Sequence, residues 1–276
     1  MRWEDLRPSG NMDDRRGFGG GRMVMGGGGL GLVGVVLLAL VFGVDPSQLL
    51  GQLGGQPASY SQSGPRTDDA SYQFTTRVIG SAEDVWSEIL PAQGVRFQPA
   101  ITTTYDYATQ TGCGTGQAAA GPFYCPSDGH IYLDLTFYNE LATRFGTPGD
   151  FARAYVIAHE YGHHIQNLTG VMQRYSGRSE GADSASVRME LQADCYAGVW
   201  AFHANQRFSI LQAGDVEEGL AAASAVGDDT LQKQGSGRVV PDSFTHGSSA
   251  QRSAWFRRGL ERGAMTDCDT FNAGRL

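Results

Sequence analysis

The apolar and polar positions of this chain follow three successive patterns. Residues 23–44 run Met-Val-Met-Gly-Gly-Gly-Gly-Leu-Gly-Leu-Val-Gly-Val-Val-Leu-Leu-Ala-Leu-Val-Phe-Gly-Val without a charge. A stretch of that length can cross the hydrocarbon core of a bilayer as one helix. Residues 1–22 are polar and carry Arg2, Arg7, Arg15, Arg16 and Arg22, whereas the first charge after the apolar run is Asp45. Positive charge on the N-terminal flank predicts a single-pass anchor at the cell membrane. The tail 1–22 is then cytoplasmic and everything after residue 45 extracytoplasmic. A cleaved signal peptide is the alternative; the long polar lead and the lack of a small-x-small cleavage site favour an anchor that stays. Residues 45–75 are rich in Gly, Gln, Ser and Pro and read as a flexible linker.

The third pattern fills 76–276 and is that of a packed domain. Ser81-Ala-Glu-Asp84 reads as a helix start, with Val85, Trp86, Ile89 and Leu90 as its buried stripe and Pro91 near its end. Ile101–Tyr105 is β-prone, and 108–122 reads as a loop. In His130–Thr136, Ile131, Leu133 and Leu135 alternate with Tyr132 and Asp134, the pattern of a half-buried strand. Helices follow at 136–145, from Asp150 as cap to about Gly170, from about Ser184 to His203, from Asp215 as cap through 226, and over about 248–262. The expectation is an α+β domain, mostly helical, with a small sheet, preceded by one transmembrane helix.

Charge and cysteine content narrow the picture. A formal net charge of −8 argues against a nucleic-acid binder. Cys113, Cys125, Cys195 and Cys268 contain no C-x-x-C, so a cysteine-held zinc knuckle is unsupported. An even count in an oxidising compartment predicts two disulfides. Cys113 with Cys125 would close a Gly-rich loop, and Cys195 with Cys268 would tie the C-terminal tail to a central helix.

The chemistry lies in His159-Glu-Tyr-Gly-His163. Histidines four apart share one face of a helix, so His159 and His163 can bind one zinc ion, with Glu160 beside them as the base acting on a water. A catalytic zinc needs a third protein ligand. Glu190 is the best candidate, with Asp194 one turn further on to accept the remaining ring N–H of a ligating histidine. His164 and His203 are rivals, and His164 points off the motif face.

The run from His159 to Gln166 and the later Glu190-Leu-Gln-Ala-Asp-Cys-Tyr-Ala-Gly198 resemble the bacterial neutral zinc metallopeptidase family of the YpfJ type. So do Gly121-Pro-Phe-Tyr-Cys-Pro126, the 131–134 strand, the N-terminal Met-Arg-Trp and the Asp-Asp-Arg-Arg stretch. The resemblance implies a zincin-like, membrane-anchored peptidase that uses Zn2+ to cleave a protein or peptide substrate. More distantly, the Glu-x-x-x-Asp step is similar to gluzincins, including HtpX and the CAAX prenyl proteases, and this implies Glu190 as third ligand. Those enzymes carry a Thr-His-Pro-Ser segment with an Arg six residues after the His. Here His246 and Arg252 match that spacing while Gly247 departs from the proline. The likeness implies that His246 and Arg252 hold the oxyanion. The strand at Tyr132–Asp134 is the expected partner for a substrate backbone. Two other classes stand against the peptidase: a membrane-anchored scaffold that holds zinc without catalysis, and an extracytoplasmic binding module without metal.

Overall fold

A computed structural model describes residues 1–17, 69–117, 121–143, 146–177, 179–274 and 276. The expected anchor at 23–44 and most of the expected linker lie outside the described residues. Among those described, no helix is long and apolar enough to cross a membrane. The fold is mixed α/β, with roughly half of the described residues in helices and two small sheets.

The first seventeen residues do not form a separate tail. Met12–Asp14 (β1) pairs in parallel with Ile101–Tyr105 (β2), Leu6 and Arg16 are buried, and Arg16 is ion-paired to Asp14 at 2.8 Å and Asp69 at 2.6 Å. The strand pairing and these buried pairs integrate residues 1–17 into the domain. Residues 1–17 thus belong to the same folded unit as 69–276, where the expectation had a separate tail. Arg16, next to the last residue before the gap, is paired with Asp69, the first residue after it.

The first long helix, Ala70–Ala92 (α1), starts about eleven residues before the predicted one. Asp69 caps it by accepting from the Tyr72 N–H. Ser81 lies mid-helix, where its hydroxyl donates back to Val78 O and accepts from the Trp200 indole. Residues 70–75, expected in the linker, are thus helical, and Tyr72 and Phe74 belong to the core. The expected loop at 108–122 instead contains a hairpin of Ala108–Thr111 (β3) and Gly114–Gln117 (β4).

Four strands form the main sheet, in the order β1, β2, His130–Asp134 (β6), Phe123–Cys125 (β5). β2 and β6 run parallel and β5 is antiparallel to β6. The strand β6 is interior and buried on both faces, not half-buried. Tyr132 and Asp134 are 1% and 2% exposed. The Tyr132 hydroxyl donates to Asp128, and Asp134 accepts from the backbone N–H groups of Tyr107 and Thr136. Neither residue can meet a substrate, so their expected substrate-binding role is corrected.

Phe137–Thr143 (α2) leads to the central helix Asp150–Leu168 (α3), whose N-cap is Gly149, not Asp150. After the single turn Val171–Arg174 (α4), Ser184 caps Ala185–Phe208 (α5). Asp215–Ala225 (α6) is capped by Gly214, not by Asp215. The unexpected Asp228–Ser236 (α7) follows, then Ser249–Arg262 (α8) with a Ser248–Gln251 capping box.

Two helix crossings position the site. A Cβ on Gly162 in α3 would sit 2.9 Å from Ala193 O of α5, so only glycine lets these helices come this close. Gly198 of α5 and Gly259 of α8 meet in the same way, each facing the other helix's backbone. Both predicted disulfides form, Cys113–Cys125 and Cys195–Cys268. The second ties the C-terminal segment to α5.

Candidate metal centre

α3 turns His159 and His163 to one face, and α5, held close by the Gly162 contact, brings Glu190 to them. His159 Nε2 lies 3.2 Å from Glu190 Oε2, and His163 Nε2 lies 3.6 Å from Glu190 Oε1. The ligand atoms of these three residues fall within 4.8 Å of one another. The two imidazoles are nearly perpendicular, 4.7 Å between centroids. Two ring nitrogens and one carboxylate are the donor set that suits zinc with one position left open.

Each ligating ring is held by its other nitrogen. His159 Nδ1–H donates to Asp194 Oδ1 at 2.8 Å. Asp194 is fully buried and also accepts from the Tyr155 hydroxyl (2.5 Å) and from Arg252 through Nε (2.8 Å) and Nη2 (2.9 Å). The expected contact between Asp194 and a ligand histidine is present. Arg252, expected at the oxyanion, lines the cavity with its planar fork committed to Asp194. His163 Nδ1–H donates to Gln166 Oε1 at 2.8 Å.

Burial and charge set the protonation of the metal-free cluster. Burial pushes the Asp194 carboxyl up, but Arg252 and His159 outweigh it and bring it to about 2. Burial opposes the charged form of His159, yet Asp194 and Glu190 raise it to about 9. Glu190 is held well below the usual carboxylate range, its burial outweighed by the two histidines. Burial raises Glu160 to about 7, with the backbone N–H of Tyr124 acting in the opposite direction.

A cavity of about 610 Å³ opens over the cluster. Glu160 lines it beside both histidines; Phe137, Val156, Met172, Met189 and Leu231 supply apolar wall. His246 is half-exposed on its rim, with Nδ1 3.2 Å from Asp228 Oδ1. Asp228 Oδ2 accepts the N–H groups of Thr245, His246 and Gly247 and so fixes the loop. That hydrogen bond to Asp228 is the main cause of the raised pKa of His246. Gly247 has φ +89°, a conformation closed to proline, so the departure from Thr-His-Pro-Ser reflects a different backbone.

His164 and His203 are excluded as ligands. His164 Nε2–H donates to Gln98 O, and its Nδ1 accepts from the Tyr124 hydroxyl. His203 Nε2 is bound to Gly263 O. Sequence reading missed Gln166, Gln192, Tyr155 and Asp228. Only Gln166 left a usable signal, standing one helical turn after His163.

Residues 1–271 match the model of the family described as "Putative neutral zinc metallopeptidase". The chain belongs to this family. It is 47% identical to the uncharacterized protein YpfJ of Escherichia coli K12, over 98% of this chain and 99% of that protein. It is 42% identical to an uncharacterized protein of Mycobacterium tuberculosis H37Rv, over 86% of each. No solved structure matches. The family implies Zn2+ as cofactor, and the His159, His163, Glu190 triad fits it, because both rings present Nε2 inward with Nδ1 already engaged.

Proposed function

We propose that this protein hydrolyses peptide bonds in extended protein segments. The observation that carries the reading is the convergence of His159, His163 and Glu190 at the floor of an open cavity that Glu160 also lines. Zinc, when bound, supplies Lewis acidity that polarises the scissile carbonyl and acidifies water. The chain does the rest. His159, His163 and Glu190 hold the ion, and Asp194 fixes the first ring. Glu160 takes the proton of the attacking water and delivers it to the departing amine. His246, whose pKa is raised by its hydrogen bond to Asp228, faces the developing negative charge from the rim. Arg252 acts through Asp194, holding that carboxylate charged and His159 oriented.

The substrate backbone pairs with β5 instead of β6. β5 ends the sheet, its residues Phe123 and Tyr124 line the cavity, and the Tyr124 N–H is directed at Glu160. An edge strand beside the metal centre suits an extended peptide added as a further strand.

Two disulfides support an oxidising compartment and hence an extracytoplasmic domain. The uncharged run at 23–44 supports membrane attachment, with both flanks, 1–17 and the domain, on one side. A protease added to intact spheroplasts should reach an epitope at residue 1 and the domain together; protection of the epitope alone would refute same-side topology.

Glu160→Gln in the full chain tests the chemistry. It should keep its zinc and lose about 10²–10⁴-fold in cleavage of an unfolded protein. Unchanged turnover removes Glu160 as base. A wild type that carries zinc and cleaves nothing supports the scaffold reading.

A further inference from the structure

Beyond the ligands, the two imidazoles are held by different chemistry. His159 rests on a carboxylate, whereas His163 rests on Gln166, whose side chain is fully buried. An amide can face a ring with its oxygen or with its NH2, so its direction matters. Here the direction is dictated from behind. Gln166 Nε2 donates to Met189 O at 2.7 Å and to Gln192 Oε1 at 3.2 Å. Gln192, 5% exposed, donates in turn from Nε2 to Cys268 O at 3.0 Å.

Both ends of this relay are backbone carbonyls, which only accept. Met189 O and Cys268 O therefore require NH2 groups facing them. Turning the Gln166 amide over would set oxygen against Met189 O and leave a buried donor facing the N–H of His163. The cost is that of burying polar groups without partners. With the oxygen of Gln166 locked toward the ring, Nδ1 of His163 must carry the proton and Nε2 must be bare. The same amide grips the carbonyl of Met189, the residue before Glu190. Cys268, at the far end, is pinned to α5 by its disulfide.

We infer that Gln166, backed by Gln192, is a positioning residue that fixes the tautomer of His163 and ties the α3 ligands to the Glu190 ligand on α5. This rests on the reading that the triad holds zinc. Neither glutamine touches substrate.

The test uses the full chain, zinc as probe and Gln166→Met, which keeps size and removes the amide. Competition against a chelator should show zinc held about 10–100-fold more weakly than by wild type. Histidine 15N shifts of the zinc-free protein should show the Nδ1–H tautomer at His163 in wild type and a mixture in the variant. Gln192→Met should weaken zinc binding less and keep the tautomer, since Met189 O still directs Gln166. Equal zinc affinity in wild type and Gln166→Met overturns the relay while leaving the metal centre standing. An Nε2–H tautomer in wild type overturns it without any variant. A wild type that binds no zinc overturns the metal centre itself.

Discussion

At the scale of single residues, Asp194 is the hinge of the site's electrostatics. It holds Arg252 and His159 at once in a space with no water exposure. Asp194→Asn leaves the Arg252 charge buried without its partner and should cost about 3–5 kcal/mol of stability. The pH dependence follows from two shifts. Asp194 is lowered from 3.8 to about 2, so its contribution is complete above about pH 4 and is lost as pH falls through 2. His159 is raised from 6.5 to about 9, so its contribution is complete below 6.5 and is lost as pH rises through 9. Denaturant unfolding of the zinc-free proteins should therefore show a wild-type advantage that is level between about pH 4 and 6.5 and narrows on both sides. A gap that does not vary with pH contradicts this coupling.

At the scale of elements, the α3–α5 crossing decides whether a metal centre exists. Gly162 stands inside the motif, between the two ligating histidines. In an isolated helix Gly→Ala is stabilising by about 0.5–1 kcal/mol. At this crossing the added Cβ meets Ala193 O and Cα at 2.9 and 3.1 Å. Gly162→Ala should therefore reverse the sign, destabilising the fold by about 1–3 kcal/mol. It should also weaken zinc binding by pushing Glu190 away, which thermal melts and chelator competition measure together. A stabilised variant with normal zinc affinity would mean that the crossing is not tight. The same scale explains one sequence misreading. Alternation in β6 suggested a wet face, but that face is covered: Tyr132 packs there with Tyr105, Cys125 and Phe123.

At the scale of the whole molecule, the chain's first residues and its last are structural parts of the domain. A chain beginning at residue 76 lacks β1, Leu6, Arg16, Tyr72 and Phe74, and its remaining α1 loses its Asp69 cap. It should fail to unfold cooperatively, while a chain keeping 1–17 and 69–276 with a short joining loop should do so; calorimetry separates the two. Cys195–Cys268 closes a separation of 73 residues. Chain-entropy arguments put its contribution near 4 kcal/mol, against about 3 kcal/mol for the separation of 12 at Cys113–Cys125. Replacing Cys195 and Cys268 by serine should therefore lower the denaturation midpoint more than the same change at 113 and 125. It should also loosen the Cys268 carbonyl at the end of the glutamine relay.

By itself the sequence determined the local chemistry: the i, i+4 histidines with Glu160, the Glu190–Asp194 pair one turn apart, the cysteine pairs, and most helices with apolar stripes. The histidine, carboxylate and stripe patterns join residues near one another along the chain, which helical periodicity relates; the cysteine pairs were read from an even count and an oxidising compartment. Only the tertiary structure decided what crosses between distant segments. It put residues 1–17 into the main sheet, made β5 instead of β6 the open edge, turned Arg252 onto Asp194, and aligned Gln166 and Gln192 between two carbonyls. Strand order, close helix approach and the direction of a buried amide depend on partners far away in sequence, which no local pattern encodes.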